Sequence, residues 1–311
     1  MKRIRSSRGY AAVIVAMGVA GWILSACVGQ DTPLIPDNAS PDTDGRTCDP
    51  SAPFTNVVEV AGVNTSDNEA VPSLTSDEKT IVFTRLDGDL WHLYTATRAS
   101  ASTDVAFGNP TVLTDLSGNW DDYDPWLSAS GDELLFSSDR GSVGGPYDTY
   151  HTHRDNGVFG TPTLFLPDWP ANSERPFMTS DGSELFFSST NASNAGMAQI
   201  YHSLNSTYGF SPPVLVPGLI SDPNAYSNDG PVLSRDGLTM YFASDRTSIM
   251  HIYRAERASP SDPFNSAVLV DTNLGVYNGS WELPGWLSDD GCRLYFESNR
   301  NGSDDIFVAS K

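Results

Sequence analysis

Five short stretches set a carboxylate two or three residues ahead of a proline or its substitute. They are Glu69 before Pro72, Asp122 before Pro125, Glu174 before Pro176, Asp229 before Pro231 and Glu282 before Gly285. Aromatic residues accompany four of them: Trp120 and Tyr123, Trp169, Tyr226, and Tyr277 with Trp281. Carboxylates accept hydrogen bonds from sugar hydroxyls, and several together hold a hard divalent cation, for which Asp121-Asp122-Tyr123-Asp124 is the densest source of oxygens. Aromatic faces stack on sugar rings. Two carboxylates about 5–10 Å apart, one with a raised pKa, would hydrolyse a glycosidic bond instead. The competing structural reading ties each carboxylate to backbone N–H groups and packs each aromatic in the interior, and repetition in every copy favours it.

Other chemistry is thinly represented. His92 and His251 occupy one repeat position, and His151 and His202 another, about 50 residues apart in sequence. Only His151-x-His153 can face one way on a strand, and no Cys or Glu lies beside it in sequence to complete a metal site. No P-loop, Gly-x-Ser-x-Gly, His-Glu-x-x-His or paired-cysteine redox motif is present. No catalytic residue, metal ligand or cofactor is therefore assigned, apart from the option of a divalent cation at the clustered carboxylates. With 39 acidic against 18 basic residues, the chain repels phosphate backbones, so nucleic acid is excluded as a partner.

The elements that carry these residues repeat. Phe83, Phe136, Phe187, Phe242 and Phe296 stand 51–55 residues apart. Each closes an apolar run that follows Pro, an apolar pair, Ser or Thr, and a turn such as Asp181-Gly182, Asp236-Gly237 or Asp290-Gly291. Asp-Gly between alternating apolar runs marks a hairpin, because glycine accepts the positive φ of the turn. A third strand carries Leu93-Tyr94, Thr149-Tyr150, Ile200-Tyr201, Ile252-Tyr253 and Ile306-Phe307, and a fourth short run precedes each copy. Four-stranded units at this period are propeller blades. The expected fold is all-β: a five-bladed β-propeller over 54–311, in which the strand near 54–60 completes the last blade and closes the ring. The loops ahead of each proline then converge on one mouth of the central channel.

The same closure brings Cys48, ahead of that first strand, to the rim that bears Cys292 in the last blade's first hairpin. A disulfide there would lock the ring; two unpaired thiols are the alternative.

The N-terminus reads as an address. Lys2, Arg3, Arg5 and Arg8 precede an apolar run over 11–26, too short for an ordinary membrane span. Leu24-Ser25-Ala26-Cys27 resembles the bacterial lipobox, which implies a signal peptide over 1–26, lipidation of Cys27, and a polar tether over 27–53. Val28 after the cysteine favours, by the same resemblance, the outer membrane, facing periplasm or surface.

The repeat template, best preserved in Ser137-Ser-Asp-Arg140, Ala243-Ser-Asp-Arg246 and Glu297-Ser-Asn-Arg300, resembles the WD40-like PD40 repeat of TolB-type propellers. The resemblance covers 54–311 and implies fold more than function. The chain departs from that family's TolB members in having five copies rather than six and no N-terminal α/β domain. The resulting expectation is a monomeric, non-catalytic binding or scaffold lipoprotein of the cell envelope. It would engage a protein or glycan through the loop face and touch the membrane only through its anchor. The alternative is a carbohydrate-active enzyme at the same mouth.

Overall fold

A computed structural model describes residues 48–165, 172–190, 196–219, 226–270, 274 and 279–311. The signal-like segment, Cys27, most of the tether, Trp169 and Tyr277 lie outside the described residues. Among the described residues every regular element is a strand.

The strand β1 (Asn56–Glu59) comes first in sequence and last in the ring. The first blade is β2 (Glu69–Leu74), β3 (Thr80–Asp87), β4 (Leu90–Thr97) and β5 (Thr111–Val112). The second is β6 (Asp122–Leu127), β7 (Glu133–Ser138), β8 (Asp148–Asp155) and β10 (Thr163–Leu164), with β9 (Val158–Phe159) folding back on β8. The third is β11 (Ser173–Met178), β12 (Glu184–Thr190), β13 (Ala198–Ser206) and β15 (Val214–Leu215), and β14 (Gly209–Phe210) repeats the fold-back. The fourth is β16 (Asn228–Leu233), β17 (Thr239–Ser244), β18 (His251–Glu256) and β19 (Val268–Leu269). In the fifth, β20 (Glu282–Leu287), β21 (Arg293–Ser298) and β22 (Asp305–Ser310) are completed by β1, antiparallel to β22 from Asn56↔Ser310 to Glu59↔Phe307. These are the five four-stranded antiparallel blades and the ring closure expected from the repeat.

The repeated phenylalanine explains why each unit folds alike. Phe83, Phe136, Phe187, Phe242 and Phe296 are all buried and stack on the cross-strand Tyr94, Tyr150, Tyr201, Tyr253 and Phe307. Such aromatic pairs add about 0.5–1.5 kcal/mol each beyond their burial. In four blades an arginine covers the pair: Arg85, Arg140, Arg246 and Arg300. A second cation, at the end of the third strand, sits on the aromatic that leads into the fourth. Arg98 lies over Phe107, Arg154 over Phe159 and Arg257 over Phe264, and in the closing blade Lys311 lies over Phe54.

Two departures from the template have structural causes at the seam. At the first hairpin turn Gly131, Gly182, Gly237 and Gly291 adopt positive φ, but the first blade has Glu78 there, at φ 54°. Its buried carboxylate reaches Arg98 of its own blade and Arg293 and Tyr295 of the last. In the last blade Gly285 replaces the repeated proline. A Cβ there would lie 2.5 Å from Pro72 Cδ of the first blade, so the ring closes only with a glycine at that approach.

On the rim that carries the first hairpin turns, Cys48 and Cys292 are joined as a disulfide, their Cα atoms 6.3 Å apart. This spacing suits a bridge.

Candidate functional site

The inner strand of every blade breaks its pairing at one place, between Ala70 and Ser73, Tyr123 and Trp126, Glu174 and Phe177, Asp229 and Val232, and Pro284 and Trp286. The residue just before the repeated proline lies in this bulge. Val71, Asp124 and Arg175 adopt φ of 43°, 53° and 53° there, and Gly230 adopts 63°. For a residue with a Cβ this conformation costs on the order of 1–3 kcal/mol, and such cost concentrates at functional positions. Two of the three strained side chains are charged.

They meet. Arg175 Nη1 lies 3.5 Å from Asp124 Oδ1 of the second blade, and Arg175 Nε lies 3.1 Å from Asp229 Oδ2 of the fourth. One guanidinium thus joins carboxylates of the blades on either side of its own. Arg175 Nη1 and Asp124 Oδ1, both buried, make no hydrogen bond. Glu174 and Glu297 complete the charged ring. Burial, reinforced by Asp124 and Asp229, raises Glu174 to about 7. Burial raises Glu297 to about 8, with Arg175 opposing and Asp304 and Asp124 adding to the rise. Asp124 is raised as well, chiefly by burial. Glu297 occupies a second-strand position that holds Thr84, Ser137, Ser188 and Ala243 in the other blades, so its carboxylate is no requirement of the repeat.

An aromatic wall stands beside this ring. Tyr123 packs against Trp91 at 4.8 Å between centroids and edge-on against Tyr147 at 5.8 Å. Asp121 fixes both neighbours, accepting from the Trp91 backbone N–H at 2.9 Å and from the Tyr147 hydroxyl at 3.1 Å. Toward the other end of the channel Trp126, Phe177, Met178 and Trp286 line a small cavity of about 50 Å³, while the ring and wall form a cup at the mouth. A cavity of about 740 Å³ opens on the opposite face and is lined by Arg235, Tyr241, Arg254, Asp289 and Lys311 among others.

The residues singled out in the sequence separate into two sets. Glu69, Asp122 and Glu282 are fully buried and each binds an arginine of its own blade. Glu69 meets Arg85 at 2.7 Å, Asp122 meets Arg140 at 2.6 Å, and Glu282 meets Arg300 at 3.5 Å and His251 at 2.8 Å. Asn228 takes the same place opposite Arg246. These carboxylates hold arginine side chains of their own blades, and Glu69 also accepts from the Thr65 backbone N–H at 2.9 Å, the kind of contact expected of a structural role. Trp120 and Tyr226 lie under Arg140 and Arg246. Trp281 anchors by its backbone N–H to Asn299 Oδ1. Tyr123, Glu174 and Asp229 are the members that converge on the mouth. Arg175, Glu297, Trp91 and Tyr147 join them although nothing in the sequence marks them as a site, and so does Asp124, which the sequence marks only as one of the clustered oxygens that could hold a cation. The sequence signal for Tyr147 is the Gly-rich stretch 141–146, Gly-Ser-Val-Gly-Gly-Pro, that leads into it.

No protein-family profile and no curated protein matches the chain. Solved structures do match, at the level of fold. A structure assigned to TolB from Agrobacterium tumefaciens is 19% identical with a TM-score of 0.51, over 79% of this chain and 77% of that one. A GH43_1 enzyme from Xanthomonas citri is 15% identical with a TM-score of 0.58, over 82% and 91%. An endo-arabinase from Bacteroides thetaiotaomicron is 14% identical with a TM-score of 0.55, over 84% and 98%. The chain shares the propeller fold with both kinds of protein. Identities this low carry the fold alone.

Proposed function

We propose that the cup at the channel mouth binds a hydroxyl-rich ligand, a glycan of the cell envelope, without turning it over. The observation that carries this reading is the strained Arg175, held between Asp124 and Asp229 beside the Trp91–Tyr123–Tyr147 wall. A guanidinium and several carboxylates offer donors and acceptors to sugar hydroxyls, and the wall offers a face for a ring. Asp124 and Asp229 are both engaged by Arg175, which leaves neither poised as a nucleophile or base. The lipobox-like Leu24–Cys27 supports placing this binding module, as a monomer, on a lipid anchor at the outer membrane.

Glycan-array screening followed by calorimetry tests the reading. Trp91→Ala and Glu174→Gln should each weaken the selected ligand at least tenfold while the fold persists. Undiminished binding in both variants would overturn it.

Hydrolysis is the second reading, favoured by one observation: burial raises Glu174 to about 7 and Glu297 to about 8, the range in which a general acid works at neutral pH. Release of reducing sugar from array-positive glycans, abolished in Glu297→Gln, would establish it. Intact ligand after prolonged incubation leaves binding as the function.

A further inference from the structure

The cup holds more carboxylates than its own cation can answer. Asp124 and Asp229 take Arg175 between them, at 3.5 Å and 3.1 Å. Burial works against the charge on Arg175, yet Asp124, Asp229, Glu297 and Glu174 together hold its pKa above the ordinary range. Glu174 and Glu297 are left over. Among the described residues the half-buried Glu174 carboxylate enters no ion pair and accepts no hydrogen bond. Glu297, fully buried, spends Oε2 on a long contact from the Val71 backbone N–H at 3.4 Å and has no ion-pair partner among the described residues. Asp124 is buried as well, and its Oδ1 makes no hydrogen bond.

Neither left-over carboxylate serves the repeat. The place of Glu174 is taken by Ala70, Tyr123, Asp229 and Leu283 in the other blades, and that of Glu297 by small or hydroxyl side chains. A buried carboxyl without a counter-ion costs stability, and no packing requirement accounts for two of them at one mouth. The aromatic wall shares their field. Burial raises the Tyr123 hydroxyl, with Asp124 and Glu297 adding to the rise, and burial raises Tyr147, with Asp121 and Glu174 adding. Trp91, Tyr123 and Tyr147 are only half-buried, so part of each ring stays within reach of a ligand. The faces of such rings are electron-rich and attract ammonium groups, as the carboxylates do.

We propose that the cup selects a sugar with a free primary amine, whose ammonium supplies the counter-charge for Glu174 and Glu297 while the aromatic wall takes the sugar ring. This rests on the glycan reading above and narrows it to cationic sugars. N-acetylation would remove the charge and leave both carboxyls unanswered, and an acidic sugar would be repelled. The proton can come from either side. A glutamic acid O–H can break in favour of an N–H bond to a neutral amine, which gives the same carboxylate–ammonium pair as an amine that arrives charged.

Calorimetry with a matched pair of probes tests the proposal: the β-1,4-linked trisaccharide of glucosamine and its fully N-acetylated form. The amine form should bind about tenfold more tightly, or better. Glu174→Gln and Glu297→Gln should each remove most of that preference while affinity for the acetylated form stays within about twofold. Trp91→Ala should weaken both forms alike. Equal or tighter binding of the acetylated form would overturn the proposal and leave the glycan reading standing, and so would an array on which only sugars without a free amine bind. A preference that survives both glutamine variants would put the amine elsewhere and overturn it too. If no glycan of either kind binds, the proposal and the glycan reading fall together.

Discussion

Glu78 Oε2 accepts a 2.7 Å hydrogen bond from Arg293 Nε across the boundary between the first and last blades. Arg98 and the Tyr295 hydroxyl bind the same buried carboxylate at 3.2 Å and 2.9 Å. A lone charge in such a place is costly, whereas a fully paired one is tolerated. Glu78→Ala should therefore destabilise the protein by roughly 3–5 kcal/mol, because it leaves two arginines buried beside an empty space. Chemical denaturation would measure this, and a loss below about 1 kcal/mol would show that the seam is held elsewhere.

The disulfide closes a sequence separation of 244 residues. Constraint of the unfolded chain over so long a loop is worth about 5 kcal/mol in the loop-entropy model. Cys292→Ser should lower the denaturation midpoint by a corresponding amount, and reducing agent should do the same to the wild type without further affecting the variant.

Stability should fall as pH rises through the neutral range. Glu297 ionises at about 8 in the folded protein against 4.5 when free, and Glu174 at about 7. Between those values the folded state holds protons that the unfolded state has lost, so raising the pH favours unfolding. The effect begins near pH 4.5 and is complete above pH 8. Melting temperatures at pH 5 and pH 9 should differ less in Glu297→Gln than in the wild type; equal differences would refute the assignment.

Gly218 adopts φ 90°, and a Cβ there would collide with the Phe264 carbonyl of the following blade; Gly62 stands in the same relation to Phe107. Gly218→Ala should cost at least about 2 kcal/mol through this clash and the strained backbone. Gly157, at φ 86° with nothing near it, is the control, and its alanine variant should cost only about 1–2 kcal/mol for the backbone alone.

The blades were legible because each is specified locally, by a proline, a turn and an aromatic pair at fixed spacing. The inter-blade contacts are written in the sequence too, but only once the register is known. Ser137 and Ser188 accept from the backbone N–H of Arg175 and Gly230 in the next blade. Where the fifth blade has Pro284, with no N–H to offer, the fourth has Ala243, with no oxygen to receive it. The mouth was harder to see. Its decisive residues, Asp124 and Arg175, lie two positions after Asp122 and one after Glu174, and only the left-handed bulge turns them inward.

The pairing of β1 with β22 also has a kinetic consequence. Until the last strand emerges during synthesis, β1 has no partner, and its unpaired edge must wait while four complete blades assemble behind it. Contacts so distant in sequence are slow to form, and a waiting edge invites the wrong partner. Refolding from denaturant should show a late phase that reports on β1 docking, shortened when the Cys48–Cys292 link is kept intact. A chaperone that shields one strand near the N-terminus would serve this protein better than one that encloses the whole chain.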